Sequence, residues 1–76
     1  MAELVEFLAQ RLVDDPAAVR VEQLEEDGAL VLRLHVAPAD VGKVIGRNGR
    51  IARALRTVVR AGSGRENRRV LLEIAG

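Results

Sequence analysis

The sequence predicts an α+β fold in which a three-stranded mixed sheet is covered by three helices. Three observations predict it. Residues 29–36, ALVLRLHV, alternate in the period of two that marks a half-buried strand. Two stretches, one opening the chain and one following residue 50, repeat apolar residues at helical spacing. A tight-turn signal joins the first two strand-like segments, whereas two helices separate the second from the third, so the first pair should run antiparallel and the second parallel.

The elements follow in order. In MAELVEFLAQRL, Leu4, Leu8 and Leu12 recur every four residues beside Val5 and Phe7, while Glu3, Glu6, Gln10 and Arg11 stand elsewhere, which predicts an amphipathic helix. Asp14-Asp15-Pro16 should end it, because a residue before proline is pushed out of the helical region. Residues 19–25 read as a strand with Val19 and Val21 on one face, although Leu24 breaks the alternation. Asp27-Gly28 is a hairpin signal. In the next strand Leu30, Leu32, Leu34 and Val36 face one way, Val31, Arg33 and His35 the other, and the first face is core. Pro38 suits the first turn of a helix, and Val41, Val44 and Ile45 make the apolar side of a short one stopped by Gly46.

A longer helix resumes at Arg50. At about 100° per residue, Ile51, Leu55 and Val58 share one side, and Arg50, Arg53, Arg56 and Arg60 share the opposite one. Gly62-Ser63-Gly64 ends this helix, and RRVLLEIAG, residues 68–76, supplies a last strand with Val70, Leu72 and Ile74 on one face. With 76 residues, one domain spanning 1–76 is expected, small enough to hide only about 60% of its unfolded surface and so helped by a partner.

Composition narrows the function. The absence of cysteine excludes disulfides, thiolate metal sites and cysteine nucleophiles. Glu3 and Glu6 interrupt the first apolar stretch, so it reads as neither signal peptide nor membrane span. A soluble cytoplasmic protein is expected. Charge is segregated: residues 1–40 hold nine acids against three arginines, and residues 41–76 hold Lys43 and eight arginines against Glu66 and Glu73. That split fits either a basic surface for an anionic partner or two halves that pair their charges.

One motif adds to the first reading. In VIGRNGRIARAL, Gly46 and Gly49 lie in a link between two helices, where glycine opens backbone conformations closed to other residues and leaves the main chain bare. The helix that follows turns its unpaired N–H groups and positive dipole end towards this link, and Lys43, Arg47 and Arg50 add charge, so a phosphodiester backbone is a natural ligand. A bare GxxG is more often an ordinary helix connection with a glycine cap.

The fuller stretch VGKVIGRNGRIARAL, placed between a short and a longer helix, resembles the core of the KH domain, whose GxxG loop clamps about four nucleotides of single strand. The element order matches the bacterial type II KH fold. The length, the LVDDP that closes the opening segment and LHVAPADVGKVIGRNGRIARALRTVVRA are similar to the small stand-alone bacterial KH proteins of the KhpA family. The resemblance implies that Gly46, Arg47, Asn48 and Gly49 grip single-stranded RNA, with bases in a shallow groove between the two helices and a sheet edge. It places Val44, Ile45 and Ile51 at apolar positions around the loop, which helical spacing assigns mainly to the core. Arg50 and Arg53 are within reach of phosphates, whereas Arg56 and Arg60 read as a solvated face or a partner surface. The resemblance further implies a homodimer, or a heterodimer with a larger KH-containing protein, and an RNA-chaperone role connected with cell envelope growth and cell shape.

Phe7 is the only aromatic residue, so no stacking platform is available and bases must be held by aliphatic contacts and hydrogen bonds. Affinity should be modest, dependent on salt and raised by dimerisation. No enzyme is expected: Gly42-Lys43-Val44 lacks the hydroxyl of a nucleotide-binding loop, His35 has no partner spaced for catalysis, and no metal-ligand spacing occurs. No cofactor is implied. The rival is a KH fold used mainly for protein interaction with little RNA affinity. Acids would be expected at positions 47 or 48 in such a loop, and these are Arg47 and Asn48.

Overall fold

The computed structural model describes residues 1–64 and 68–75. Helix α1 (Ala2–Gln10) precedes strands β1 (Arg20–Glu26) and β2 (Ala29–His35), helices α2 (Val41–Ile45) and α3 (Arg50–Gly62), and strand β3 (Val70–Ala75). This is the predicted order. Arg65 and Glu66 of the charge tally, and Gly76 of the last expected strand, lie outside the described residues. Helix α1 ends before Asp14, because the N–H groups of Arg11 and Leu12 turn to Leu8 and Ala9 three residues back and tighten the last turn. β1 begins one residue later than expected and runs one residue further.

β1 and β2 pair antiparallel through a turn with φ of 52° at Asp27 and 80° at Gly28, the geometry of the hairpin turn that matches strand twist. β2 and β3 pair parallel, with Leu32 beside Leu72 and Leu34 beside Ile74. One face of the sheet meets the helices, and Val5, Leu32, Leu34, Val44, Leu55 and Val59 form the centre of the core.

Three apolar faces differ from expectation. On α1 the buried residues are Val5 and Ala9, while Leu4, Phe7 and Leu12 stay exposed. Helix α1 has apolar residues on more than one side, and the small pair lets it lie close to the sheet. On α3 the buried face is Ala52, Leu55 and Val59, turned by roughly 65° from the expected one. Ile51 and Val58 instead line a groove shared with α1. Ile45, assigned to the core by its spacing, is 38% exposed, because the five-residue α2 is too short to bury more than one side and Val44 takes it.

The other sheet face is closed by cross-strand pairs. Leu24, the break in the alternation, sits opposite Val31, which sits opposite Leu71, and this row buries Val31 outside the main core. Beside it Arg33 joins Glu73 at 3.0 Å and Glu26 at 3.6 Å, and His35 Nε2 lies 3.0 Å from Glu22 Oε1. The hydrogen bond from His35 holds Glu22 below the ordinary carboxylate range.

Candidate nucleic-acid interface

The site begins where β2 gives way to Pro38 and ends in the first turns of α3. Gly46 stops α2 while its N–H donates to the Gly42 carbonyl at 2.9 Å, and the Gly49 N–H returns to the Gly46 carbonyl at 3.1 Å. Three of the four loop residues have positive φ: 76° at Gly46, 57° at Asn48 and 73° at Gly49. Asparagine is among the few side chains that tolerate that region.

The two glycines are required for different reasons. At Gly46, ψ of 172° completes a conformation that is essentially glycine's alone, and an added Cβ would stand 2.7 Å from Ile51 Cγ1 and 3.0 Å from the Ile51 nitrogen. At Gly49 an added Cβ would meet nothing within 4 Å. Gly46 is therefore closed by its own protein, whereas the space beside Gly49 is open to something arriving from outside.

Gly49 occupies the N-cap position of α3, and no side chain caps the helix. The Arg50 N–H donates to the Arg47 carbonyl, and the N–H groups that follow it, at the positive end of the helix dipole, have no side-chain cap. Arg47, Asn48 and Arg50 are exposed, and among the described residues neither arginine has an ion-pair partner. Arg53 has another occupation: its Nη2 donates to the Asn48 carbonyl at 2.9 Å, tying the loop to the second turn of α3.

Lys43 stands apart from this group. Its Nζ lies 3.2 Å from Asp14 Oδ2 and 3.4 Å from Asp40 Oδ1, and the hydrogen bond to Asp14, followed by the charges of both carboxylates, holds the ammonium above its ordinary range. The structure thus brings Gly46, Arg47, Asn48, Gly49, Arg50 and Arg53 into one unit and offsets the charge of Lys43 with acids of the first half. Both readings of the charge split hold in part. Lys43 with Asp14, Arg68 with Glu25, and Arg33 with Glu73 pair the halves, while among the described residues the arginines of the loop and of α3 have no acid within ion-pairing distance.

Asp40 is a residue the sequence reading did not single out. It is 2% exposed and accepts the Asp15 N–H at 3.1 Å, joining the loop after α1 to the start of α2. Burial by itself pushes its carboxyl up, but the N–H groups of Asp15 and Asp14 and the Lys43 ammonium outweigh it, and the group lies below the ordinary range. Its position after Pro38 signals a helix start but not a partner 25 residues away. Ile45, which the resemblance placed beside the loop and helical spacing assigned mainly to the core, is instead an exposed aliphatic side chain next to Gly46.

Among the described residues no group of acids, histidines or cysteines is arranged to hold a metal ion, and no helix is long and apolar enough to cross a membrane.

The family model described as KhpA/KhpB, KH domain, matches residues 2–74. The chain is 50% identical over 74 residues to the RNA-binding protein KhpA of Clostridium perfringens, covering 97% of this chain and 99% of that one. It is 49% identical over 72 residues to the RNA-binding protein KhpA of Borreliella burgdorferi, covering 95% and 88%. With the RNA-binding protein KhpA of Aquifex aeolicus the identity is 47% over 74 residues, covering 97% and 94%. All three are named for RNA binding rather than for a reaction, and no solved structure matches. A match over nearly every residue, on the α+β order and around the GxxG loop described above, establishes that this chain belongs to the KhpA/KhpB family of KH domains.

Proposed function

We propose that this chain is one KH unit that binds single-stranded RNA, with the Gly46-Arg47-Asn48-Gly49 loop and the start of α3 gripping the sugar-phosphate backbone. The observation that carries this is the left-handed backbone at a helix start with no side-chain cap, flanked by Arg47 and Arg50, neither of which has an ion-pair partner among the described residues. The names of the relatives, all RNA-binding proteins, support the same reading. In it Arg47 and Arg50 meet phosphates, Arg53 holds the loop in shape, Lys43 fixes α2 through Asp14 and Asp40, and Ile45 offers an aliphatic surface to a base. Its cellular setting, on this reading, is the cytoplasm, as an RNA chaperone or post-transcriptional regulator tied to envelope growth and cell shape.

The test is the double variant Arg47→Asp with Asn48→Asp. Both side chains are exposed, so circular dichroism should be unchanged, while titration with single-stranded RNA at several salt concentrations should show a large loss of affinity. A folded double variant that binds as tightly as the parent would remove the loop from the function.

Pairing with a second copy or a larger KH-containing companion is favoured by a specific observation. Leu8, Leu12, Ile51, Ala54 and Val58 line the apolar groove between α1 and α3, and Leu4 and Phe7 beside it are 42% and 53% exposed. A surface of this kind on a small domain is characteristic of an interface. Light scattering at high concentration checks self-association, and a monomer there restricts the pairing to a different protein.

A further inference from the structure

Helices α1 and α3 run antiparallel. Met1, at the N-cap of α1, lies against Gly62 at the end of α3, while Arg11 and Leu12, just past the end of α1, share a groove with Arg50 and Ile51 at the start of α3. From there the groove continues over Leu8, Ala54 and Val58, and its volume is about 480 Å³, within the range of about 300–1,000 Å³ common to small-molecule sites. Arg11 and Arg50 are its only charged lining residues; the others are aliphatic. At about 100° per residue Glu3 and Glu6 fall on the opposite side of α1, α3 carries no acid, and Asp14 is turned to Lys43. Both arginines are exposed, and among the described residues neither has a carboxylate within ion-pairing distance. Arg11 stands instead over the Phe7 ring, 5.6 Å from its centroid, a weak contact at an exposed position.

The groove therefore has a polarity along its length. Two cations without acids stand at the end nearest the GxxG loop, and from Arg50 to Val58, eight residues on, about 12 Å of aliphatic surface leads away from them. A neutral apolar molecule would leave the guanidinium groups unused. A small anion would leave the aliphatic surface in water, where its burial is favourable. A ligand with an anionic head and an aliphatic tail satisfies both. We propose that this groove binds a fatty acid of medium chain length, with its carboxylate between Arg11 and Arg50 and its chain along Leu8, Ala54 and Val58. Arg50 then holds the carboxylate and is withdrawn from RNA phosphates, and the chain covers the surface assigned above to a protein partner, so the ligand opposes both RNA binding and pairing. The competition for Arg50 rests on the RNA-binding reading given above, whereas binding of the fatty acid does not.

Calorimetric titration of the full chain with octanoate, decanoate and dodecanoate, each below its micelle concentration, reads the site directly. Removing half to all of each methylene from water raises affinity about four- to fifteenfold for every two methylenes added. Decyltrimethylammonium, with the tail of decanoate and the opposite charge, should bind about tenfold more weakly or worse, and the double variant Arg11→Gln with Arg50→Gln should remove that difference. In anisotropy titrations with a labelled oligouridylate, saturating decanoate should lower the parent's RNA affinity about tenfold, the loss of one charge-assisted contact. Ala54→Trp fills the groove from an exposed position; it should bind RNA as the parent does and no longer respond to decanoate. A thermal melt on each variant checks the fold. Equal binding of the two amphiphiles, binding only above the micelle concentration, or a second copy in light scattering that decanoate does not disperse would each overturn the site and leave the RNA reading standing. Decanoate bound at the groove with RNA affinity unchanged would overturn the competition for Arg50. If the parent binds no RNA, that reading falls by itself, and the titrations without RNA still decide the site.

Discussion

Replacing each loop glycine by alanine separates the internal requirement for glycine from the external one. At Gly46 the φ of 76° with ψ of 172° costs a non-glycine residue about 1–3 kcal/mol. The new Cβ also lands 2.7 Å from Ile51 Cγ1 and 3.0 Å from the Ile51 nitrogen. The Cγ1 contact is eased by a rotamer change, but the nitrogen belongs to the first turn of α3 and moves only if the helix start moves. Overpacking of this kind adds about 1–3 kcal/mol. A total near 3 kcal/mol corresponds to a fall in Tm of about 12–24 °C for a domain of this size.

At Gly49 the backbone is αL with open space around the Cβ position, so the cost is the left-handed penalty alone, about 1 kcal/mol, or about 4–8 °C. Thermal denaturation followed by far-ultraviolet circular dichroism reads both variants, and RNA titration of the folded fraction completes the comparison. Gly49→Ala should lose affinity out of proportion to its stability loss, because its new methyl occupies the space the strand needs. Equal Tm shifts for the two variants would show that the Ile51 contact does not constrain Gly46. Undiminished RNA affinity in Gly49→Ala would show that the open side of the loop is not where the strand lies.

Further outcomes follow from the same geometry. Gly42 lies inside α2 at negative φ with nothing within 4 Å of an added Cβ, so Gly42→Ala should stabilise by up to about 1 kcal/mol and raise the Tm. Ala9 is fully buried and Leu4 is 42% exposed; Ala9→Leu should therefore cost about 1–3 kcal/mol by overpacking, and Leu4→Ala only about 0.5 kcal/mol or less, as urea titration of each will show. Asp40 has its carboxyl lowered in the folded state, so its contribution is fully present above the unfolded Asp value of about 3.9 and is lost as pH falls through the lower folded one. Urea midpoints measured from neutral pH to about 3 should fall less steeply for Asp40→Asn than for the parent, and parallel curves would remove Asp40 from the acid response.

The strands and the loop could be read from the chain because local chemistry dictates them. Alternation in ALVLRLHV leaves only one face of β2 for the main core, Asp27-Gly28 dictates a hairpin turn, and two glycines around Asn48 permit positive φ whatever surrounds them. The start of α3 at Arg50 and the exposure of Arg47 and Asn48 follow from the same local rules. Tertiary structure alone decided which face of each helix turned inward. Helices α1 and α3 carry apolar residues over more than half their circumference, and the choice fell to the side with small residues, Val5 with Ala9 and Ala52 beside Leu55, because close approach to a sheet depends on the shape of the opposing surface. It also decided which cations remain available. Lys43 and Arg53 look the same as Arg47 and Arg50 in a linear chain, yet the first is neutralised by carboxylates that folding brings from Asp14 and Asp40, and the second is bound to the Asn48 carbonyl. Spacing determines conformation within a turn or a strand; the pairing of a charge depends on groups distant in sequence, and only the folded chain places them together.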